Sequence, residues 1–134
     1  MSYDNITVFG GGTAAYAVAA CLSLKGKRVV LCDFPEFEHL ISPIREAGEI
    51  DLIREDGPIE GKAAIDLVTT DLGEATKKAE LLLVCAQAAA HGRLAKEIGP
   101  HLKNGQHILL LPGSCFGAWE FRKNLADANC TADV

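Results

Sequence analysis

The sequence predicts an α/β protein of the Rossmann type, a doubly wound and mainly parallel sheet with helices on both faces. Three observations support this fold class. Short apolar runs alternate along the chain with segments of helical periodicity, a glycine-rich turn follows the first run, and an acidic residue follows the second. The length of 134 residues fits one domain, residues 1–134, with no room for a second of similar size.

The first part of the chain has the pattern strand, turn, helix, strand. Residues 6–9 form a short apolar run rich in β-branched side chains, which predicts a strand. Apolar residues then recur on one helical face, at Ala15, Val18, Ala19 and Leu22. Gly26 is placed to end this helix. Residues 28–32 form a continuous apolar run, which is typical of a parallel strand buried on both faces.

A second helix is predicted shortly after this strand. Pro35 is placed to open a helix, since proline fits the first helical position. Ser42 and Pro43 have the pattern of an N-cap followed by proline at that first position. We therefore expect a helix to begin at Ser42-Pro43 and to end at Gly48.

A small hairpin insertion and three further strands are predicted in the rest of the chain. Residues 50–53 and 59–64 flank residues 55–58, which have turn chemistry. Strands are predicted over 65–69, 81–85 and 107–111, and helices from Asp71 with Glu74, over 93–98 and over 116–126. The runs at 81–85 and 107–111 are expected to be buried on both faces.

The composition limits which classes of partner and which cellular compartment are expected. The chain has 13 basic and 18 acidic residues, a net charge of −5, so a non-specific nucleic-acid binder is not expected. Five cysteines show no CxxC pair and no zinc spacing, which predicts a reducing, cytoplasmic compartment and no metal site. The N-terminus has no basic leader pattern, and the apolar stretches are too short for a membrane span.

The glycine-rich turn is the main candidate binding motif. Residues 10–15 match the pattern G-x-G-x-x-A, with the sequence Gly10-Gly11-Gly12-Thr13-Ala14-Ala15. Gly10 allows the tight turn, Gly12 lets the backbone approach a pyrophosphate, and Ala15 keeps the helix close to the strand. Because the helix N-terminus then presents free N–H groups, we expect it to hold the phosphates of a dinucleotide.

Asp33 is the candidate for cofactor specificity. It follows the second strand directly, where a carboxylate accepts hydrogen bonds from both ribose hydroxyls of an adenosine. The same charge repels a 2′-phosphate, and neither Phe34 nor Pro35 is basic, so NAD is favoured over NADP. The alternative is that an acidic residue falls at this position by chance.

The loops after two later strands should face the other half of the dinucleotide. After residues 81–85, Ala86 leaves space for a ring, and His91 either contacts a nicotinamide or substrate carboxylate or is a solvated residue. After residues 107–111, Pro112 and Gly113 form a rigid turn near the same place. Several nearby side chains are interpreted as structural or solvated: Cys115 as a small loop residue, Trp119 as core or interface, and His39, His101 and His107 without metal spacing.

Several ordered motifs together resemble one known family, the N-terminal domain of the NAD/NADP octopine/nopaline (opine) dehydrogenases. The motifs are Phe9-Gly10-Gly11-Gly12-Thr13-Ala14-Ala15-Tyr16-Ala17, Pro35-Glu36-Phe37, Pro43-Ile44-Arg45-Glu46, Leu67-Val68-Thr69-Thr70-Asp71, His91, Pro112-Gly113 and Gly117-Ala118-Trp119-Glu120-Phe121. They cover nearly the whole chain. Thr13 is a departure, since it stands where the family often has Asn.

The resemblance implies an oxidoreductase that reductively joins an amino acid to a 2-oxo acid. It implies cofactor roles for Gly10, Gly12, Ala15 and Asp33, and it places His91 and the Pro112-Gly113 turn near the nicotinamide. The family's catalytic histidine belongs to a C-terminal helical domain. We therefore expect this chain to be a cofactor-binding part that does not turn over alone. A homodimer is the candidate assembly. The alternatives are a stand-alone NAD-sensing regulatory domain and, less favoured by the glycine turn, a methyltransferase.

Overall fold

A computed structural model describes residues 2–53 and 60–134. In this part of the chain the elements follow one another as β1 (Asn5–Phe9), α1 (Thr13–Leu24), β2 (Arg28–Cys32), α2 (Glu38–Ala47), β3 (Glu49–Leu52), β4 (Gly61–Ala64), β5 (Leu67–Thr69), α3 (Leu72–Thr76), β6 (Leu81–Val84), α4 (Ala88–Ile98), β7 (His107–Leu110) and α5 (Gly117–Asp127). Short 3-10 turns at Pro35–Phe37 and Gly99–His101 precede α2 and follow α4.

The main sheet has five strands in the order β5-β2-β1-β6-β7, and every neighbouring pair is parallel. Counting only these five strands along the chain, the order is 3-2-1-4-5, which is the Rossmann order. The predicted fold class is confirmed. β3 and β4 pair antiparallel as a separate sheet, as expected for the hairpin, while its predicted turn at residues 55–58 lies outside the described residues.

Alternating side chains of the strands build one core on each face of the sheet. Ile6 and Val8 of β1 pack with the buried residues of α1 and α2, whereas Phe9 packs with those of α3, α4 and α5. Thr7 points to the second face and its hydroxyl donates to the backbone oxygen of Ala75 at 2.6 Å. Both faces of β1 are therefore covered, and its residues from Ile6 to Phe9 are all buried, including the polar Thr7.

The second helix begins earlier than predicted. α2 starts at Glu38, and Pro43 lies inside the helix rather than at its first position. The 3-10 turn opened by Pro35 leads directly into α2, and Pro43 removes only one backbone N–H donor. Gly48 ends the helix with a left-handed φ of 73°, as expected.

The helix predicted from residue 93 also begins earlier, at Ala88. Its first turn is rich in alanine, which has the highest helix propensity but leaves no apolar periodicity to detect.

The burial expected for residues 107–111 is wrong in part, since Leu109 is 49% exposed. β7 is an edge strand of the described sheet, so only the face carrying Ile108 and Leu110 packs against the core.

Two aromatic side chains near the end of β7 are exposed. Trp119 is 65% exposed and Phe116 is 86% exposed. A core position for Trp119 is therefore wrong, and the interface interpretation stays a prediction. The described residues form no helix that is long and apolar enough to cross a membrane.

Candidate functional site

The glycine turn is wedged between the ends of β2 and β6. Gly10 has a φ of +133°, which side-chain-bearing residues rarely adopt. Its N–H donates to the backbone oxygen of Cys32 at 2.8 Å. A Cβ atom at Gly10 would lie 2.7 Å from the backbone oxygen of Cys85 and 3.4 Å from Cβ of Ala15. The turn is thus as tight as the sequence predicts, with α1 held close to the strand by the buried Ala15.

The N-terminus of α1 is open to solvent. Gly12 is the N-cap residue and gives no side-chain cap, and Gly12, Thr13 and Ala14 are all exposed. A Cβ at Gly12 would meet nothing within 4 Å. By contrast, the side chain of Asp71 caps α3 by accepting the N–H of Glu74. The free N–H groups of α1 and the positive end of its dipole therefore face solvent, an arrangement that suits a bound anion.

Asp33 lies beside this helix end, half-buried after β2. Its Oδ1 accepts the N–H of Phe34 at 2.8 Å, and its carboxylate also accepts the N–H of Gly11. Burial raises the pKa of Asp33 above its ordinary value, the two backbone hydrogen bonds oppose the shift, and the charge of Glu36 adds to it. A Cβ at Gly11 would lie 2.6 Å from Oδ2, so Gly11 lets the carboxylate approach the turn.

The raised pKa of Asp33 has a consequence for stability. A carboxyl whose pKa is higher in the folded than in the unfolded chain stabilises the fold when protonated, and this contribution is lost as the pH rises through the folded pKa. At neutral pH the ionised Asp33 therefore costs folding free energy. A charge kept at such a cost beside an open helix end is a candidate ligand-binding group.

Arg93, which the sequence analysis did not single out, lies beside the segment that follows Asp33. Arg93 of α4 pairs with Glu36 and with Glu97, the latter at 2.6 Å, and its Cζ lies 3.9 Å from the ring centroid of Phe34. The pair with Glu97 is an i, i+4 pair that could have been found from the sequence. The contacts with Phe34 and Glu36 depend on tertiary packing and left no local signal.

The loop after β6 lies next to the glycine turn, and His91 of the following helix α4 is buried beneath this loop. Ala86 is partly buried, and its backbone oxygen lies 3.1 Å from Nε2 of His91. His91 is only 1% exposed and packs edge-on against Phe121, with ring centroids 6.2 Å apart. The solvated interpretation of His91 is therefore wrong. Its contact with a nicotinamide stays a prediction, and the geometry supports a role in shaping the Ala86 loop.

The turn after β7 lies at the same carboxyl end of the sheet as Asp33, but on the other side of β1. Pro112 and Gly113 are exposed, three strand positions from Asp33, which corresponds to about 14 Å. Cys115 is exposed in the following loop, and His39, His101 and His107 are also exposed, in agreement with the solvated interpretation. In residues 2–53 and 60–134 no three His, Cys, Asp or Glu side chains are grouped to hold a metal.

The strand order, the glycine turn and the acid after β2 define a Rossmann-type domain, a class in which nucleotides bind at the carboxyl ends of the strands. The chain is homologous to the NAD(P)-binding domain of opine dehydrogenases. It is 38% identical over 120 residues to an opine dehydrogenase of Arthrobacter sp. (strain 1C), a match that covers 90% of this chain and 32% of that protein. No family model matches the chain.

Solved structures show the same fold. An octopine dehydrogenase with NADH and L-arginine has a TM-score of 0.79 and 24% identity over 92% of this chain. A yersinopine dehydrogenase with NADP⁺ bound has a TM-score of 0.71 and 20% identity over 96% of the chain. A glycerol-3-phosphate dehydrogenase of Coxiella burnetii has a TM-score of 0.68 and 18% identity over 90%. The chain spans about a third of the length of these relatives, 32%, 32% and 37% respectively.

Proposed function

We propose that the chain binds NAD(H) as the cofactor domain of an opine-dehydrogenase-like oxidoreductase in the cytoplasm. The reaction class is the reductive condensation of an amino acid with a 2-oxo acid, in which the nicotinamide supplies the hydride. The observation that carries the proposal is the open N-terminus of α1 at Gly12 beside the half-buried carboxylate of Asp33. The likeness to opine dehydrogenase over 90% of the chain supports it, and the five free cysteines agree with a reducing compartment.

The proposed binding mode uses the whole crevice. The pyrophosphate lies over Gly11 and Gly12, where backbone N–H groups and the helix dipole favour an anion. Asp33 accepts the hydroxyls of the adenosine ribose and repels a 2′-phosphate, so NAD is preferred over NADP. The nicotinamide lies towards Ala86 and the turn after β7, where the small side chain of Ala86 leaves room for a ring.

Replacing Asp33 with alanine is expected to weaken NADH binding selectively. Loss of a charge-assisted hydrogen bond costs about 1.5–3 kcal/mol, or roughly ten- to hundredfold in affinity. NADPH should lose little or bind more tightly, because the repulsion of its 2′-phosphate disappears. Titration of both cofactors against the parent and the variant measures the effect, and equal losses for the two would contradict the role of Asp33.

Asp66 offers a matched control for Asp33. Its Oδ2 accepts the N–H of Val29 at 2.7 Å, at the opposite end of the same strand. Asp66→Ala should leave the ratio of the two dissociation constants unchanged.

NADH affinity should also depend on the protonation of Asp33. Since burial raises the pKa of Asp33, NADH affinity should fall with decreasing pH at a higher pH than that at which an ordinary exposed carboxyl protonates. Asp33→Ala should lose this pH dependence.

The isolated chain is expected to bind NADH without oxidising it. Reductive condensation needs a general acid–base and a site that holds two substrates in fixed geometry. His91 is buried against Ala86, and we propose that the catalytic groups lie in a C-terminal helical domain outside residues 1–134. The exposed Phe116 and Trp119 beside the crevice are suited to an interface with it.

Two measurements test this prediction together. NADH at ~100 times its dissociation constant should stabilise the fold by about 2.7 kcal/mol and raise the melting temperature by several degrees. NADH absorbance should stay constant after addition of pyruvate and a panel of amino acids. Steady protein-dependent oxidation would show that the reaction site is complete within this chain, and the absence of any melting shift would contradict cofactor binding.

A further inference from the structure

The guanidinium of Arg93 is held in place on one face and along its edge. One face lies over the ring of Phe34, with Cζ 3.9 Å from the ring centroid. Its edge donors are used by two carboxylates: Nη1 and Nη2 donate to Glu36, the second at 3.3 Å, and Nε donates to Glu97 at 2.6 Å. The side chain is nevertheless 47% exposed. Phe34 is the one ring that the described residues place against this guanidinium, so its opposite face carries no ring.

The half-exposed side chain of Arg93 lies beside the site proposed for the adenosine ribose. Phe34 and Glu36, which hold Arg93, follow Asp33 directly in the chain. The charge around Arg93 argues against a phosphate ligand there, because one guanidinium pairs with the two carboxylates of Glu36 and Glu97, and Glu36 also acts on Asp33. A planar, uncharged ring needs no such charge, and it stacks well on a guanidinium plane.

We propose that Arg93 is the stacking platform for the adenine base of the dinucleotide. The base lies on one face of the guanidinium and Phe34 lies on the other. Asp33 holds the attached ribose. The carboxylates of Glu36 and Glu97 fix the plane before the ligand arrives, so little side-chain entropy is lost on binding. This inference rests on the proposed function, since it assigns a further binding residue in the same crevice.

The test compares NADH with its cytosine analogue, which keeps the ribose, the pyrophosphate and the nicotinamide and changes only the base. Because a purine stacks over a larger area than a pyrimidine, the parent is expected to bind the adenine form roughly tenfold more tightly. Arg93→Lys keeps the charge but removes the plane, and the ratio of dissociation constants should fall close to one. Glu97→Gln, which keeps the guanidinium, should retain most of the preference for adenine.

Arg122→Lys is the matched control, since Arg122 is exposed on α5, away from Asp33. It should bind both ligands like the parent. If Arg93→Lys shows the parent's ratio, the stacking role is overturned, even where both affinities fall together through a shift of Asp33. If the folded parent binds neither ligand, the proposed function fails and this inference fails with it; melting curves confirm that each variant is folded.

Discussion

Gly12→Val should weaken NADH binding by at least roughly hundredfold without unfolding the chain. Gly12 is exposed, a Cβ there meets nothing within 4 Å, and its φ of −111° is open to any residue. The two added methyl groups would occupy the space in front of the free N–H groups of α1. Loss of two charge-assisted hydrogen bonds to a pyrophosphate costs about 3–6 kcal/mol, so affinity should fall at least roughly hundredfold.

Ala17→Val is the matched control for this substitution. Ala17 is exposed on the same helix, one turn beyond the glycine turn, and valine adds the same two methyl groups there. Both variants should keep the melting temperature of the parent within a few degrees, because each changes an exposed position. If Gly12→Val titrates with NADH as tightly as Ala17→Val, the pyrophosphate does not lie at Gly12.

Local patterns were sufficient to predict the elements that form the glycine turn. β1 and β2 could be recognised as short apolar runs and α1 from the helical spacing of its apolar residues, and Gly10 and Gly26 mark the ends of neighbouring elements. The same local pattern placed Asp33 after β2, next to the open end of α1. Once the βαβ unit is established, the parallel order of the remaining strands follows from short connections and helical crossovers.

The features that were not predicted depend on contacts between distant segments. The burial of β7 could not be judged from its apolar run, since an edge strand and a central strand have similar sequences. The buried position of His91 comes from packing of α4 against α5 and the carbonyl of Ala86. Likewise, Arg93 meets Phe34 only because α4 lies across the loop after β2.

Gly10 and Gly12 belong to one motif, but only Gly10 is required by the backbone geometry. This difference gives a test of the turn. Gly10 holds a φ of +133°, and a Cβ there would lie 2.7 Å from the backbone oxygen of Cys85. That oxygen belongs to backbone that cannot swing aside like a flexible side chain. Relief of the contact would therefore displace the end of β6 or break the hydrogen bond from Gly10 N–H to Cys32.

We therefore expect Gly10→Ala to destabilise the fold strongly, while Gly12→Ala changes stability by less than about 1 kcal/mol. Backbone strain alone costs about 1–3 kcal/mol, and the displaced β1–β6 contact adds to it. Against a typical total of about 5–15 kcal/mol, a loss of ~3 kcal/mol or more should lower the melting temperature by roughly 10 °C. Thermal and urea unfolding followed by circular dichroism measures both variants. Similar melting temperatures for the two would show that the turn can relax around a side chain at Gly10, and that the tight approach to Cys85 is not what requires glycine there.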